Sequence, residues 1–90
     1  MPDFNVFLSN NAEKGLKKSE PNIRQQLQNA IDALENNPVP TKDFDVTKIS
    51  SSISNYRIRI GRYWILYTIN WEDKEVKVFG IDKRKGSSYD

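Results

Sequence analysis

Apolar positions follow two periods along this chain, one near 3.6 between residues 10 and 36 and one of 2 on either side of it. Phe4-Asn5-Val6-Phe7-Leu8 begins as apolar/polar alternation rich in aromatic and branched residues, which predicts a short strand. Ser9-Asn10-Asn11 offers helix caps, and with Asn10 as N-cap Glu13 falls at the third helical position, close to a capping box. A first helix is expected to run to about Lys18, weakened at Gly15 and ended by Ser19-Glu20-Pro21, whose proline suits the first turn of a second helix. Ile23, Leu27, Ala30, Ile31 and Leu34 then share one apolar stripe, with Arg24, Gln25, Gln28, Asp32 and Glu35 on the wet side. Asn36-Asn37, Pro38 and Pro40 stop this helix, because proline cannot continue the hydrogen-bond ladder.

From Phe44 onward the period is 2. Strands are predicted at Phe44–Val46, reaching toward Ile49, and then at Tyr56–Ile60, Tyr63–Trp71 and Val76–Lys83. Gly61-Arg62 forms a two-residue hairpin turn, with glycine where positive φ is needed, and Glu72-Asp73-Lys74 makes the next turn. The order is β-α-α-β-β-β-β. It implies one α+β domain over residues 1–90, in which an N-terminal strand and a helical hairpin precede a mostly antiparallel sheet meander, the helices on one face. Alternation puts Tyr56, Ile58 and Ile60 with Tyr63, Ile65, Tyr67, Ile69 and Trp71 on the face covered by the second helix. The opposite face receives Arg57, Arg59, Arg62, Trp64, Leu66, Thr68 and Asn70. Trp71, Tyr63, Tyr67, Phe7 and Phe79 read as core or sheet packing. Lys14, Lys17 and Lys18 read as a solvated helix face, and Lys74 and Lys77 as an exposed turn and strand edge.

Composition removes several chemistries. The 90 residues include neither cysteine nor histidine, so thiolate zinc sites, disulfides and the usual neutral-pH general base are absent. Asp43, Asp45 and Asp82 form no evident carboxylate pair, no phosphate-cradling glycine loop accompanies them, and neither a metal nor a cofactor is expected. The start MPDFNVFLSNN lacks a basic segment followed by an apolar one, and no membrane-length apolar run occurs, so a cytoplasmic location is expected. The net charge of +2 says little, but its distribution says more: eight Lys/Arg against five Asp/Glu lie from Asn55 onward, and six against seven before it.

Polar residues belong on the wet side of a sheet packed on one face, and Lys/Arg there deters edge pairing. Here, however, all three positions are arginine, the better bidentate partner for phosphate. Lys83-Arg84-Lys85 adds basic groups at a strand end, and Trp64 and Tyr89 interleave rings with the charge. Guanidinium groups for phosphates and rings for bases make the composition of an RNA-contacting surface.

The segments NPVPTKDFDVTKI and YRIRIGRYWILYTINWEDKEVKVFGIDKRKGSSY resemble the RelE/ParE superfamily of type II toxin–antitoxin toxins, closest to short RelE-like members. The resemblance spans most of the chain and implies a toxin that enters the ribosomal A site and cuts mRNA without a metal, the 2′-hydroxyl attacking the adjacent phosphate to leave a 2′,3′-cyclic phosphate. It implies that Arg59 and Arg84 meet phosphate and transition-state charge, that Arg57 positions the backbone, and that Tyr89 stacks on a base or transfers a proton. Lys85 is the alternative alignment to Arg84, and Lys83 and Trp64 join the RNA-binding set. Arginine stays protonated, so no general base is assigned. Many members carry Gly-Asp-Tyr-Arg in the hairpin where this chain reads Gly61-Arg62-Tyr63-Trp64. Trp64 thus stands in the arginine position, and Arg62, two residues earlier, is the candidate to replace it. The implied partners are a RelB-like antitoxin, seated near Leu66 and the first helix, and the ribosome with its mRNA. Two other readings share the fold: a ParE-like toxin acting on DNA gyrase, and a relative that binds antitoxin without cutting RNA.

Overall fold

The computed structural model describes residues 3–49 and 54–83. Strand β1 (Asn5–Leu8) is followed by helices α1 (Asn10–Lys18) and α2 (Pro21–Ala33) and then by β2 (Asp45–Lys48), β3 (Asn55–Ile60), β4 (Tyr63–Asn70) and β5 (Glu75–Lys83). The element order is the one the periodicity predicts. β2 to β5 form the antiparallel meander, while β1 joins the far edge of β5 in parallel, so the sheet is mixed, with order β1-β5-β4-β3-β2. The connection from β1 to β2 therefore crosses the whole sheet, and the two helices are what fill it, on one face.

Helix α1 starts one residue earlier than expected. Its N-cap is Ser9, whose Oγ accepts from the Ala12 amide at 3.1 Å and donates to the Phe79 carbonyl at 3.2 Å. Asn10 is thus the first helical residue, and Glu13 supports the first turn electrostatically rather than closing a capping box. The preference for Ser9 has a tertiary cause, since a single hydroxyl there serves both the helix and β5. At the other end Arg24 departs from the wet side expected of it. Its guanidinium donates to the carbonyls of Leu16, Lys17 and Ser19 at 3.2, 3.0 and 2.6 Å, supplying the donors that the last turn of α1 lacks.

Leu27, Ala30, Ile31 and Leu34 of the α2 stripe are buried against Ile58, Ile65, Tyr67, Val76 and Val78 of the inner sheet face. The Tyr67 hydroxyl reaches through this core to donate to the Pro38 carbonyl at 2.7 Å. Burial, with Tyr56 stacked beside it, pushes that hydroxyl above the usual phenol range, so it stays a donor. Tyr63 and Tyr67 are core as expected, but Trp71 and Phe7 are not. Trp71 is 54% exposed, one residue beyond the end of β4 at Asn70, and its indole meets Phe4 in a T-shaped contact with ring centroids 5.7 Å apart. Phe7 is 50% exposed, because Val6 and Leu8 take the inward positions of β1. Phe79 is half-buried in a β-bulge: Leu66 pairs with Gly80 and Tyr67 with Val78, leaving Phe79 between them.

Helix α1 approaches β5 closely at Gly15, where a Cβ would overlap the Ile81 carbonyl oxygen. In the hairpin, Gly61 alone takes positive φ, at +57°, the pattern of a type II′ turn. Gly15→Ala is therefore expected to lower stability by about 2 kcal/mol through overpacking, although alanine is the better helix former by roughly 1 kcal/mol. A thermal melt checks the sign, and a raised midpoint would refute the close approach. Arg24→Ala is expected to cost about 2 kcal/mol in urea unfolding, as loss of charge-assisted hydrogen bonds does, and Gln25→Ala on the same helix less than about 0.5 kcal/mol.

Candidate nucleic-acid interface

The register that buries one face of the hairpin fixes the other. Val46, Ile58 and Ile65 lie side by side inward on β2, β3 and β4. The outward residues then fall into two neighbouring rows across four strands. One row is Asp45–Arg59–Trp64–Asp82 and the other is Thr47–Arg57–Leu66–Gly80. Both helices pack on the inner face, so no helix among the described residues covers these rows.

The two arginines have different surroundings. Arg59 Nη2 pairs with Asp45 Oδ2 at 3.1 Å, directly across the β2–β3 ladder, both side chains about half exposed. Beside this pair a cleft of about 360 Å³ opens between the β3–β4 turn and α2, lined by Asp43, Asp45, Arg59, Gly61, Gln26 and Asn29. Arg57 has no carboxylate in its row. Its guanidinium carbon lies 4.3 Å from the centroid of the Trp64 ring, its diagonal cross-strand neighbour, in a cation–π contact. The Arg57 Nε is sealed from solvent without a hydrogen-bond acceptor.

Arg57, Arg59 and Trp64 are thus brought together as the alternation predicts. Lys83 is not. The bulge at Phe79 shifts the parity of β5, so Lys83 stands opposite Tyr63 on the helix side and pairs with Glu20 at 3.2 Å, while Asp82 takes the outward position opposite Trp64. Arg62 is exposed in the hairpin turn, where strand alternation no longer sets a face. Arg84, Lys85 and Tyr89 lie outside the described residues. Asp45 is the residue that reasoning from pattern passed over: it formed no carboxylate pair, and its role depends on a β2–β3 register that the serine-rich connection leaves open. The one available signal is that Asp45 and Thr47 flank the inward Val46. Among the described residues no three His, Cys, Asp or Glu side chains gather as a metal site, and no helix is long and apolar enough to cross a membrane.

Chemically the face offers one neutralised and one unneutralised guanidinium beside an indole, a surface suited to a polyanion with unstacked bases. Comparison with known proteins agrees with the architecture. A family model described as ParE toxin of type II toxin-antitoxin system, parDE, matches residues 6–87. RelE1 of Methanocaldococcus jannaschii is 31% identical over 84 residues, covering 93% of each chain. The RelE–RelB complex of Pyrococcus horikoshii contains a chain with a TM-score of 0.82 at 29% identity, covering 93% of this chain and 98% of that one. The RelBE complex of Escherichia coli superposes with a TM-score of 0.74 at 19% identity, over 91% and 98% of the two chains, a likeness of fold. This chain belongs to the ParE/RelE family of type II toxin–antitoxin toxins.

Proposed function

We propose that this toxin is a ribosome-dependent mRNA endoribonuclease of the cytoplasm that cuts without a metal. The observation that carries the reading is the pair of arginines on the uncovered sheet face beside Trp64. In the reaction the 2′-hydroxyl gives up its proton as its oxygen bonds to the adjacent phosphorus, the bond from phosphorus to the 5′-oxygen breaks, and the departing 5′-oxygen takes up a proton, so that no net proton is gained or lost. A 2′,3′-cyclic phosphate remains. Charge accumulates on the phosphorane oxygens, and fixed guanidinium groups stabilise it, while the ribosome holds the message for in-line attack. Arg59 and Arg84 take that charge, with Arg62 a further candidate, Arg57 holds the RNA backbone, and Tyr89 serves a base or the proton.

The partner that restrains the toxin is a RelB-like antitoxin. Support comes from the relatives of Pyrococcus horikoshii and Escherichia coli, whose structures are RelE–RelB complexes, and from the outer sheet face, where Leu66 lies directly opposite Arg57 and offers an apolar and a cationic contact to an acidic amphipathic segment. The match to a ParE model favours a second reading, in which the toxin acts on DNA gyrase and the arginine face is not a catalytic site.

Primer extension on a defined mRNA in a reconstituted translation reaction separates these readings. Cuts are expected only with ribosomes present, and Arg59→Ala is expected to reduce them by about a hundredfold or more. A folded protein that makes no cuts in any sample would move the function to gyrase or to antitoxin binding alone. A separate expectation concerns Asp45. Asp45→Asn frees Arg59 and should raise affinity for a single-stranded RNA oligonucleotide about two- to fivefold at low salt, the range of an exposed ion pair. The gain should vanish in an Arg59→Ala background, as fluorescence anisotropy would show.

A further inference from the structure

From the contact between Arg57 and Trp64 we infer that Trp64 is a positioning residue, holding the Arg57 guanidinium ready for an RNA phosphate, and does not itself stack on a base. The inference rests on the proposal that this face binds RNA. Three observations lead to it. The Arg57 guanidinium lies 4.3 Å from the indole centroid, so Arg57 occupies a ring face that a base would need. Arg57 has no ion-pair partner among the described residues, unlike Arg59 and Lys83. Its Nε is covered and has no acceptor, so no hydrogen bond through that atom orients the group.

An arginine side chain is flexible, and confining it on binding reduces affinity. A ring that already confines it removes that cost before the ligand arrives. The indole suits this task, because its face attracts the cation without consuming a donor, whereas a carboxylate would take the N–H groups that phosphate needs. The row Thr47–Arg57–Leu66–Gly80 itself contains no acid, and Asp82, outward in the neighbouring row opposite Trp64, forms no ion pair with this guanidinium. Division of labour follows: Arg57 is held open by a ring, and Arg59 is held closed by Asp45.

A double-mutant cycle tests the assignment, with the full chain titrated onto a fluorescein-labelled single-stranded RNA oligonucleotide across a range of salt concentrations and with thermal melts confirming that each variant folds. Arg57→Ala and Trp64→Leu are each expected to weaken binding about three- to thirtyfold. The double variant should be no weaker than the weaker single one, and Trp64→Phe should restore most of the loss. Arg57→Ala should also reduce the slope of log affinity against log salt by about 0.7, the contribution of one phosphate contact to a single strand. Additive losses would mean that Trp64 stacks on a base in its own right, and would overturn the inference while leaving the RNA-binding reading intact. No effect from either single variant, with Arg59→Ala still weakening binding, would likewise overturn it. Absence of salt-dependent binding by the wild-type protein would remove the RNA-binding reading and this inference together.

Discussion

The burial of one side of the β3–β4 hairpin governs the rest of this molecule. Ile58, Ile60, Tyr63, Ile65, Tyr67 and Ile69 all point into the same core, and moving any of them outward would expose a large apolar side chain to water. A strand cannot slip by one residue without exchanging its faces, so the core excludes that slip and the two-residue turn at Gly61-Arg62 sets the pairing of β3 with β4. The positions of Arg57, Arg59 and Trp64 follow with no further specification, and their rigidity is inherited from side chains that never touch a ligand. Placing functional groups on paired strands rather than on a loop holds them to the geometry of the sheet. The same core anchors α2 through Leu27 and Leu34, and α2 in turn carries Arg24, which completes the end of α1.

Electrostatics on the outer face follow from which strand lies beside which. Arg59 has Asp45 because β2 is its antiparallel neighbour, and the pair is exposed enough for salt and solvent to weaken it. Arg57 sits one step along the same strand, in a row whose neighbours are Thr47 and Leu66, so its counterpart is a ring rather than an acid. Two arginines two residues apart therefore differ in their partners: one is paired with a carboxylate, the other lies over a ring. The net charge of the chain conveys none of this, because the difference lies in register.

Much of this arrangement was legible in the residues. Strict alternation in Tyr56–Ile60 and Tyr63–Asn70, with a turn glycine between them, is enough to place the arginines together, and the α2 stripe is enough to say which face is core. What was not legible depends on contacts between distant segments. Ser9 rather than Asn10 caps α1 because a β5 carbonyl lies within reach of its hydroxyl, and Arg24 turns back because the end of α1 lies beside it. The parallel seat of β1 next to β5 is decided by how the helices fill the crossing, which four residues of alternation cannot express. Trp71 continues the inward parity of β4 but lies one residue past its end and stays half exposed.

The bulge at Phe79 has the widest consequences of these unreadable features. Unbroken alternation from Val76 and Val78 would send Gly80 and Asp82 inward and carry Lys83 onto the arginine face. The extra residue reverses that parity, so Ile81 joins the core, Asp82 comes to lie beside Trp64, and Lys83 passes to the helix side and meets Glu20. Gly15 and Ile81 can then approach closely enough for α1 to settle on β5, and the carbonyl of the bulged Phe79 accepts the Ser9 hydroxyl that starts the helix. A single inserted residue thus closes α1 onto the sheet, sets an acid beside the indole that carries Arg57, and removes a lysine from the face where charge alone would have placed it.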